Sequence, residues 1–257
     1  MGRVYTLVNQ KGGVGKTTTA INLGAYLAQL GQRVLIVDAD PQANATSSLG
    51  IDKRAVKGGT YEALLGGAPA ASLVLQNPRL KLAILPASPS LAGAEVELVN
   101  ELGRESKLKT ALAGLVERYD YILIDCPPSL GLLTVNGLMA AKDGVLIPVQ
   151  CEYLALEGLG ELTHTIQRVR TALFPTLQVR GVILTMFDGR THLSQDVVSE
   201  VQKYFPEKVF ETIIPRSVRL AEAPSYGLPV SSYAPVSNAA RSYEQLAREL
   251  LKSDIPS

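Results

Sequence analysis

The sequence predicts an α/β fold: a doubly wound, mostly parallel sheet flanked by helices on both faces. Three observations predict it. The runs Arg33–Asp38, Tyr121–Asp125 and Val145–Val149 are apolar without alternation, as strands buried on both faces are. Stretches with apolar residues at helical spacing lie between such runs. The first strand ends in a glycine-rich turn that leads into a helix and then a second strand, one βαβ unit with a right-handed crossover.

In chain order, Arg3–Asn9 is the first strand. Thr17–Leu30 is a helix, with Ala20, Ile21, Ala25, Leu27 and Ala28 as its apolar positions and Gly31 as its C-terminal cap. Arg33–Asp38 is the second strand. Gly58–Pro69 is a Gly/Ala-rich excursion, and Leu80–Leu85 is a strand. Lys107–Tyr119 carries Leu108, Leu112, Leu115 and Val116 at amphipathic spacing. Strands at Tyr121–Asp125 and Val145–Val149 precede a long helix at Leu154–Leu173. A strand at Val179–Met186, a helix at Leu193–Tyr204, a strand at Val209–Ile214 and a helix at Ser237–Lys252 complete the chain. This rhythm suits one domain over residues 1–257.

Composition narrows the function classes. Hydrophobic residues make up 46% of the 257 residues and charged ones 19%, which supplies a large core and argues against disorder. The formal charge of +1 excludes a bulk polyelectrolyte binder, so any nucleic-acid site is a local patch. Aromatics at 5%, with no Trp, weaken any base-stacking platform. Two cysteines, Cys126 and Cys151, exclude a disulfide-rich scaffold and a Cys-only zinc site within one chain. No charged-then-apolar leader and no long uncharged apolar run is visible, so the expected address is the cytoplasm.

The sharpest chemical feature is Lys11-Gly12-Gly13-Val14-Gly15-Lys16-Thr17-Thr18. It matches the P-loop pattern except that Gln10 stands where the first glycine belongs. Glycines let backbone N–H groups turn inward on phosphate oxygens, and the helix that follows points its positive end at them. Lys16 then sits on the β- and γ-phosphates, and the Thr17 hydroxyl is a Mg²⁺ ligand. Two further signals lie at strand ends, where open α/β sheets bind ligands. Asp38 and Asp40 end the second strand, and Asp125 ends the Tyr121 strand before Cys126-Pro127-Pro128. An acidic residue in the place of Asp125 holds Mg²⁺ in P-loop nucleotidases. A helix cap or turn is the alternative role for Asp38 and Asp40. Cys126 is expected to be a small packed residue.

These segments together resemble the ParA/Soj family of partition ATPases, within the deviant Walker A group that also holds MinD. The resemblance rests on Lys11–Thr18, Val37–Gln42, Ile122–Ser129, Val149–Tyr153 and Ile214–Pro224. It implies ATP and Mg²⁺ as ligands. Lys11 becomes the signature lysine that reaches across a homodimer to the partner's ATP. This answers a puzzle, since two ammonium groups in one loop repel unless an anion separates them. Asp40 is implied to activate the attacking water, and Asp38 to contact the Mg²⁺ surroundings or orient the loop. Pro215 is implied to rest against adenine, with Met186 a second candidate; both residue types also serve as ordinary core or turn.

The same resemblance implies sequence-independent binding of double-stranded DNA, stimulation of hydrolysis by a ParB-type centromere-binding partner, and association with the nucleoid when ATP is bound. Residues 168–219 hold eight Lys/Arg against five Asp/Glu, a mild excess that a solvated face explains equally. Arg190 and Arg219 match the family's phosphate-contacting positions. A MinD-like membrane-cycling ATPase is the first alternative. It needs a basic amphipathic C-terminal helix, whereas Tyr243, Leu246, Ala247, Leu250 and Leu251 read as a face docked on the body, with mixed charges opposite. Contact with the membrane is therefore not expected. A metabolic P-loop enzyme or metal carrier is the second, and it needs acceptor or ligand residues. His164 and His192 lie far apart in sequence and read as surface or packing residues.

Overall fold

The computed structural model describes residues 2–153 and 155–255. Seven strands form one sheet: β1 Arg3–Leu7, β2 Val34–Asp38, β3 Leu75–Asn77, β4 Leu82–Leu85, β5 Tyr121–Asp125, β6 Gly144–Gln150 and β7 Val179–Thr185. Their order is β3-β4-β2-β5-β1-β6-β7. Every pairing is parallel except that of the edge strand β3 with β4. The helices are α1 Lys16–Gln29, α2 Asn44–Ser48, α3 Thr60–Leu65, α4 Ala70–Leu73, α5 Leu91–Glu97, α6 Lys107–Leu112, α7 Leu132–Ala140, α8 Ala155–Ala172, α9 His192–Tyr204, α10 Val218–Glu222, α11 Val230–Tyr233 and α12 Asn238–Asp254.

Two apolar layers cover the sheet, because successive strand side chains point to opposite faces. Leu35, Val37, Ile122 and Ile124 pack with Leu108, Leu138, Leu159 and Val197 on one face. Val34, Ile36, Tyr121 and Leu123 pack with Leu23, Leu27, Tyr243 and Leu246 on the other. The predicted doubly wound class is what the chain adopts. Gly31 has φ +91°, and its N–H and that of Gln32 close α1 on Ala28 and Leu27.

Helix α12 is docked as its pattern predicts: Tyr243, Leu246, Ala247 and Leu250 are buried, and Leu251 packs partly against them. Its far end is latched. The Tyr5 and Tyr121 hydroxyls and the Arg180 guanidinium all donate to the Asp254 carboxylate, at 2.7, 3.0 and 2.9 Å. Arg3 donates to the Asp254 carbonyl.

Several expected elements differ. The helix predicted over Lys107–Tyr119 stops at Leu112 and passes into a 3₁₀ turn, Ala113–Leu115. Gly114 weakens it there, and the Val116 carbonyl accepts the Gly2 N–H instead of a helical one. The strand predicted over Val209–Ile214 is reduced to bridges at Val209 and Pro215. Between them the Glu249 carboxylate takes the N–H groups of Glu211 and Thr212, while only the Phe210 and Ile214 N–H groups reach β7, at the Val182 and Leu184 carbonyls. Gly58–Pro69 contains α3. The helix predicted from Leu154 begins at Ala155, and Leu154 lies outside the described residues.

Helix α7 has no periodic signal because it is apolar all round. Leu133, Thr134, Asn136, Gly137, Leu138, Met139 and Ala140 are buried. Gly137 permits this depth. A Cβ there would stand 2.4 Å from the Cys126 sulfur and 3.0 Å from Thr6 Cγ2. The Thr6 hydroxyl donates to the Gly137 carbonyl at 2.7 Å.

Candidate functional site

The site is built where β1, β2 and β5 end. After β1, Gly13 and Gly15 adopt φ +76° and +90°. Glycine reaches such angles at no steric cost, and they let successive N–H groups face one point. The loop is pinned at both sides. Asn9, buried, donates to the Pro148 carbonyl at 2.8 Å and accepts the Lys11 N–H at 3.0 Å. The Thr185 hydroxyl at the end of β7 donates to the Val14 carbonyl at 2.8 Å. Gln10, in the place of the missing glycine, reaches Glu161 on α8.

Lys16 is buried at the start of α1, and its ammonium donates to the Lys11 carbonyl at 3.3 Å. Burial lowers its pKa, while Asp125 and Asp40 oppose that shift. The Lys11 ammonium has no ion-pair partner among the described residues.

Three carboxylates share the crevice. Asp38 and Asp125 are direct neighbours in the β2–β5 ladder. Asp38 is fully engaged: one oxygen accepts the Thr46 N–H and hydroxyl at 2.8 and 2.7 Å, and the other accepts the Asp40 N–H at 3.2 Å. Burial pushes its pKa up to about 6 in spite of those bonds. Asp40 is buried and accepts the Gln42 N–H at 2.8 Å.

Asp125 differs. The Thr17 hydroxyl donates to its Oδ2 at 2.7 Å, and its Oδ1 is buried with no partner. Burial first, and the charge of Asp38 second, push its pKa up. An orphaned carboxylate oxygen beside a threonine hydroxyl and a buried ammonium fits a hydrated divalent cation next to an anionic ligand.

The remaining predicted residues lie further out. Met186 follows β7 in the left-handed region, φ +53°, a conformation that costs a non-glycine residue energy and clusters at ligand sites. The Phe187 N–H donates to the Ile214 carbonyl and the Arg216 N–H to the Phe187 carbonyl, so Pro215 is bridged to Phe187, the residue after Met186. Met186 and Pro215 are half-buried.

Arg190 and Arg219 are exposed, and each is paired with an acid. Arg190 grips Asp188 with two N–H groups, at 2.8 and 2.6 Å, and holds that carboxyl down at about 2. Arg219 bonds Glu222 at 2.8 Å. Cys126 and Cys151 are both buried, and burial pushes the Cys151 thiol up to about 12.

Thr46, Thr185 and Asn22 carry parts of this arrangement that the motifs do not mark. Asn22 donates to the Thr18 carbonyl and accepts the Val230 N–H, tying α1 to α11. Thr185 had a signal: it is a polar residue closing an apolar strand at the ligand end of the sheet. Thr46 and Asn22 had none, since both are ordinary helix residues in sequence.

Comparison with known proteins gives this geometry a family. A family described as an AAA domain matches residues 2–179. The chromosome partitioning protein ParA of Myxococcus xanthus is 55% identical over 256 residues, covering 100% of this chain and 90% of that one. The chromosome-partitioning ATPase Soj of Treponema pallidum is 54% identical over 254 residues, covering 99% of each. Among solved structures, cobyrinic acid a,c-diamide synthase of Mycobacterium smegmatis with bound ADP and magnesium superposes with a TM-score of 0.87. It is 40% identical and covers 98% of this chain and 95% of that one. Near-full-length identity above one half, together with the P-loop and its three carboxylates, places the chain in the ParA/Soj family of partition ATPases.

Proposed function

We propose that residues 1–257 act as one ATP-hydrolysing domain that binds DNA in a nucleotide-dependent way. The observation that carries this reading is the crevice in which Lys16, Thr17 and the half-satisfied Asp125 meet the mouth of the glycine loop. Gly12, Gly13, Val14, Gly15 and Thr18 cradle the phosphates with their backbone N–H groups, and Lys16 carries the β/γ charge. Thr17 and Asp125 would hold Mg²⁺, which supplies neutralisation of the phosphate oxygens. Asp38 orients the loop through Thr46 rather than facing the ligand. Asp40 positions the attacking water. Pro215 and Met186 bracket the base.

Two chains close face to face, each lending Lys11 to the other's triphosphate. The closed homodimer doubles a small cationic surface that includes Arg190 and Arg219. Exposed ion pairs are worth about 0–1 kcal/mol, so a DNA phosphate can displace Asp188 or Glu222. Binding is sequence-independent and salt-sensitive, and puts the dimer on the nucleoid. Hydrolysis removes the phosphate that Lys11 holds and lets the dimer part. The slow step is stimulated by a ParB-type partner, because Asp40 alone leaves transition-state charge unmatched.

The relatives above one half identity are named for chromosome partition, and they support this reading over the metabolic name of the Mycobacterium smegmatis relative. The buried face of α12 argues against a MinD-like lipid-binding helix. Gel filtration with Mg²⁺ and a non-hydrolysable ATP analogue, with and without DNA, tests the cycle. A size that never changes with nucleotide overturns it.

A further inference from the structure

One groove takes no part in the site described above. The loop after α2, residues 50–54, faces the 3₁₀ turn Ala223–Tyr226 across a cleft of about 630 Å³. Its two walls meet backbone to backbone. Gly50 and Gly227 have φ +78° and +66°, and a Cβ on Gly227 would stand 2.6 Å from the Gly50 Cα. A side chain on Gly227 has no room there, and one on Gly50 would be strained by its positive φ, so the close approach of the two walls rests on glycine.

The lining is cationic on one wall. Lys53 and Arg54 both line it. Arg54 is exposed, and its guanidinium has no ion-pair partner among the described residues. Arg190, Arg216 and Arg219, by contrast, are each bonded to an acid. Asp52 is the one acid in the lining, and it accepts the Arg54 backbone N–H at 2.9 Å, not the guanidinium. On the opposite wall Tyr226 is exposed, with its ring stacked on Tyr233 at 4.9 Å. That wall continues directly from α10, which carries Arg219. Lys53 donates to the Gln42 carbonyl, and the Gln42 N–H donates to Asp40. The cationic wall is thus two hydrogen bonds from the nucleotide crevice.

We propose that this groove binds the phosphodiester backbone of duplex DNA, with Arg54 and Lys53 as its phosphate contacts. A free guanidinium suits this use, because it takes phosphate oxygens bidentately without first leaving an acid. Two neighbouring cations on one wall, Lys53 and Arg54, suit a strand of regularly spaced phosphate charges. The proposal rests on the DNA-binding reading above and extends its footprint from α10 to the loop after α2.

The test is the affinity of the full chain, with Mg²⁺ and a non-hydrolysable ATP analogue, for a random-sequence duplex across a salt series. Arg54→Ala, which removes no structural contact, should keep the nucleotide-dependent size in gel filtration. It should weaken binding about tenfold at moderate salt and reduce the slope of log K against log salt by about 2 for a dimer. Arg54→Lys should recover most of both. Unchanged affinity and slope in Arg54→Ala, while Arg219→Ala loses binding, overturns this proposal alone. Wild type that does not bind the duplex at low salt overturns the DNA reading with it. A loss of dimers in Arg54→Ala also overturns a direct contact. Inorganic phosphate displacing DNA no better than chloride at equal ionic strength supports the duplex assignment. Selective, Arg54-dependent displacement by phosphate overturns it in favour of a small-anion site.

Discussion

The Thr17 hydroxyl lies 2.7 Å from Asp125 Oδ2 and donates to it, while the other oxygen of that carboxylate is buried without a partner. A fully buried, half-satisfied carboxylate is costly. It persists because β5 places it there and because a cation would complete it. Asp125→Ala should therefore weaken Mg²⁺-dependent nucleotide binding about 10- to 100-fold. Titration with a fluorescent ATP analogue, with Mg²⁺ and with EDTA, checks this. A variant that keeps the wild-type response to Mg²⁺ removes Asp125 from the metal site.

The same strain sets a pH dependence. Asp38 is pushed up to about 6 and Asp125 is raised too, both chiefly by burial. An acid whose folded pKa is raised binds its proton more tightly when folded. The associated stability is complete below the ordinary carboxylate range, near pH 4, and is lost as pH rises through the folded value. The ligand-free protein should lose up to about 3 kcal/mol through Asp38 between pH 4 and 7. Thermal unfolding across that range should show the melting temperature falling. Asp125→Asn should flatten the upper part of the profile and melt higher than wild type near pH 8.

The two lysines of the loop should separate by experiment. Lys16→Ala removes the buried ammonium at the start of α1 and should abolish nucleotide binding. Lys11→Ala should leave nucleotide binding by the single chain within a few-fold of wild type and abolish nucleotide-dependent dimers. Asp40→Ala should instead trap the dimer on DNA, because the phosphate is no longer cleaved. Equilibrium nucleotide titration and gel filtration together distinguish the three. Loss of dimers in Asp40→Ala would show that its assigned role is wrong.

Gly137 is a packing position between α7 and the sheet. A Cβ placed 2.4 Å from the Cys126 sulfur forces α7 off the sheet. Gly137→Ala should cost about 1–3 kcal/mol, as overpacking a filled core does. Denaturant unfolding would show a lower midpoint with an unchanged slope. The double variant Gly137→Ala with Cys126→Gly should recover part of the loss.

The latch at the end of α12 gives a last prediction. Asp254→Ala leaves the buried ends of Tyr5 and Tyr121 and the Arg180 guanidinium without their shared acceptor. The loss should be about 2–4 kcal/mol. Hydrogen exchange should show the last turns of α12 opening first, while nucleotide affinity stays unchanged.

Strands β1, β2, β5, β6 and β7 were legible because a strand buried on both faces is a plain apolar run. The ends of these runs mark the phosphate loop and Asp38, Asp40 and Asp125 in the sequence itself. Helix α7 was not legible, since burial on every side erases the polar face that gives a helix its period. The Val209–Ile214 strand was over-read for the opposite reason: its composition is right, but a carboxylate from α12 takes two of its N–H groups.

Residue types and their spacing were enough to establish the fold class, the phosphate loop and the family, because each leaves a local signal: apolar runs, helical periodicity and contiguous motifs. Folding alone settled which carboxylate is left open. Thr46, eight positions further on, closes Asp38, whereas Asp125 is left half-paired beside Thr17, a residue 108 positions away in the chain. The same holds for the cleft between Lys53, Arg54 and Tyr226, whose walls lie some 170 positions apart in the chain. Sequence spacing cannot encode such a meeting, since burial and hydrogen bonding act through space and not along the backbone.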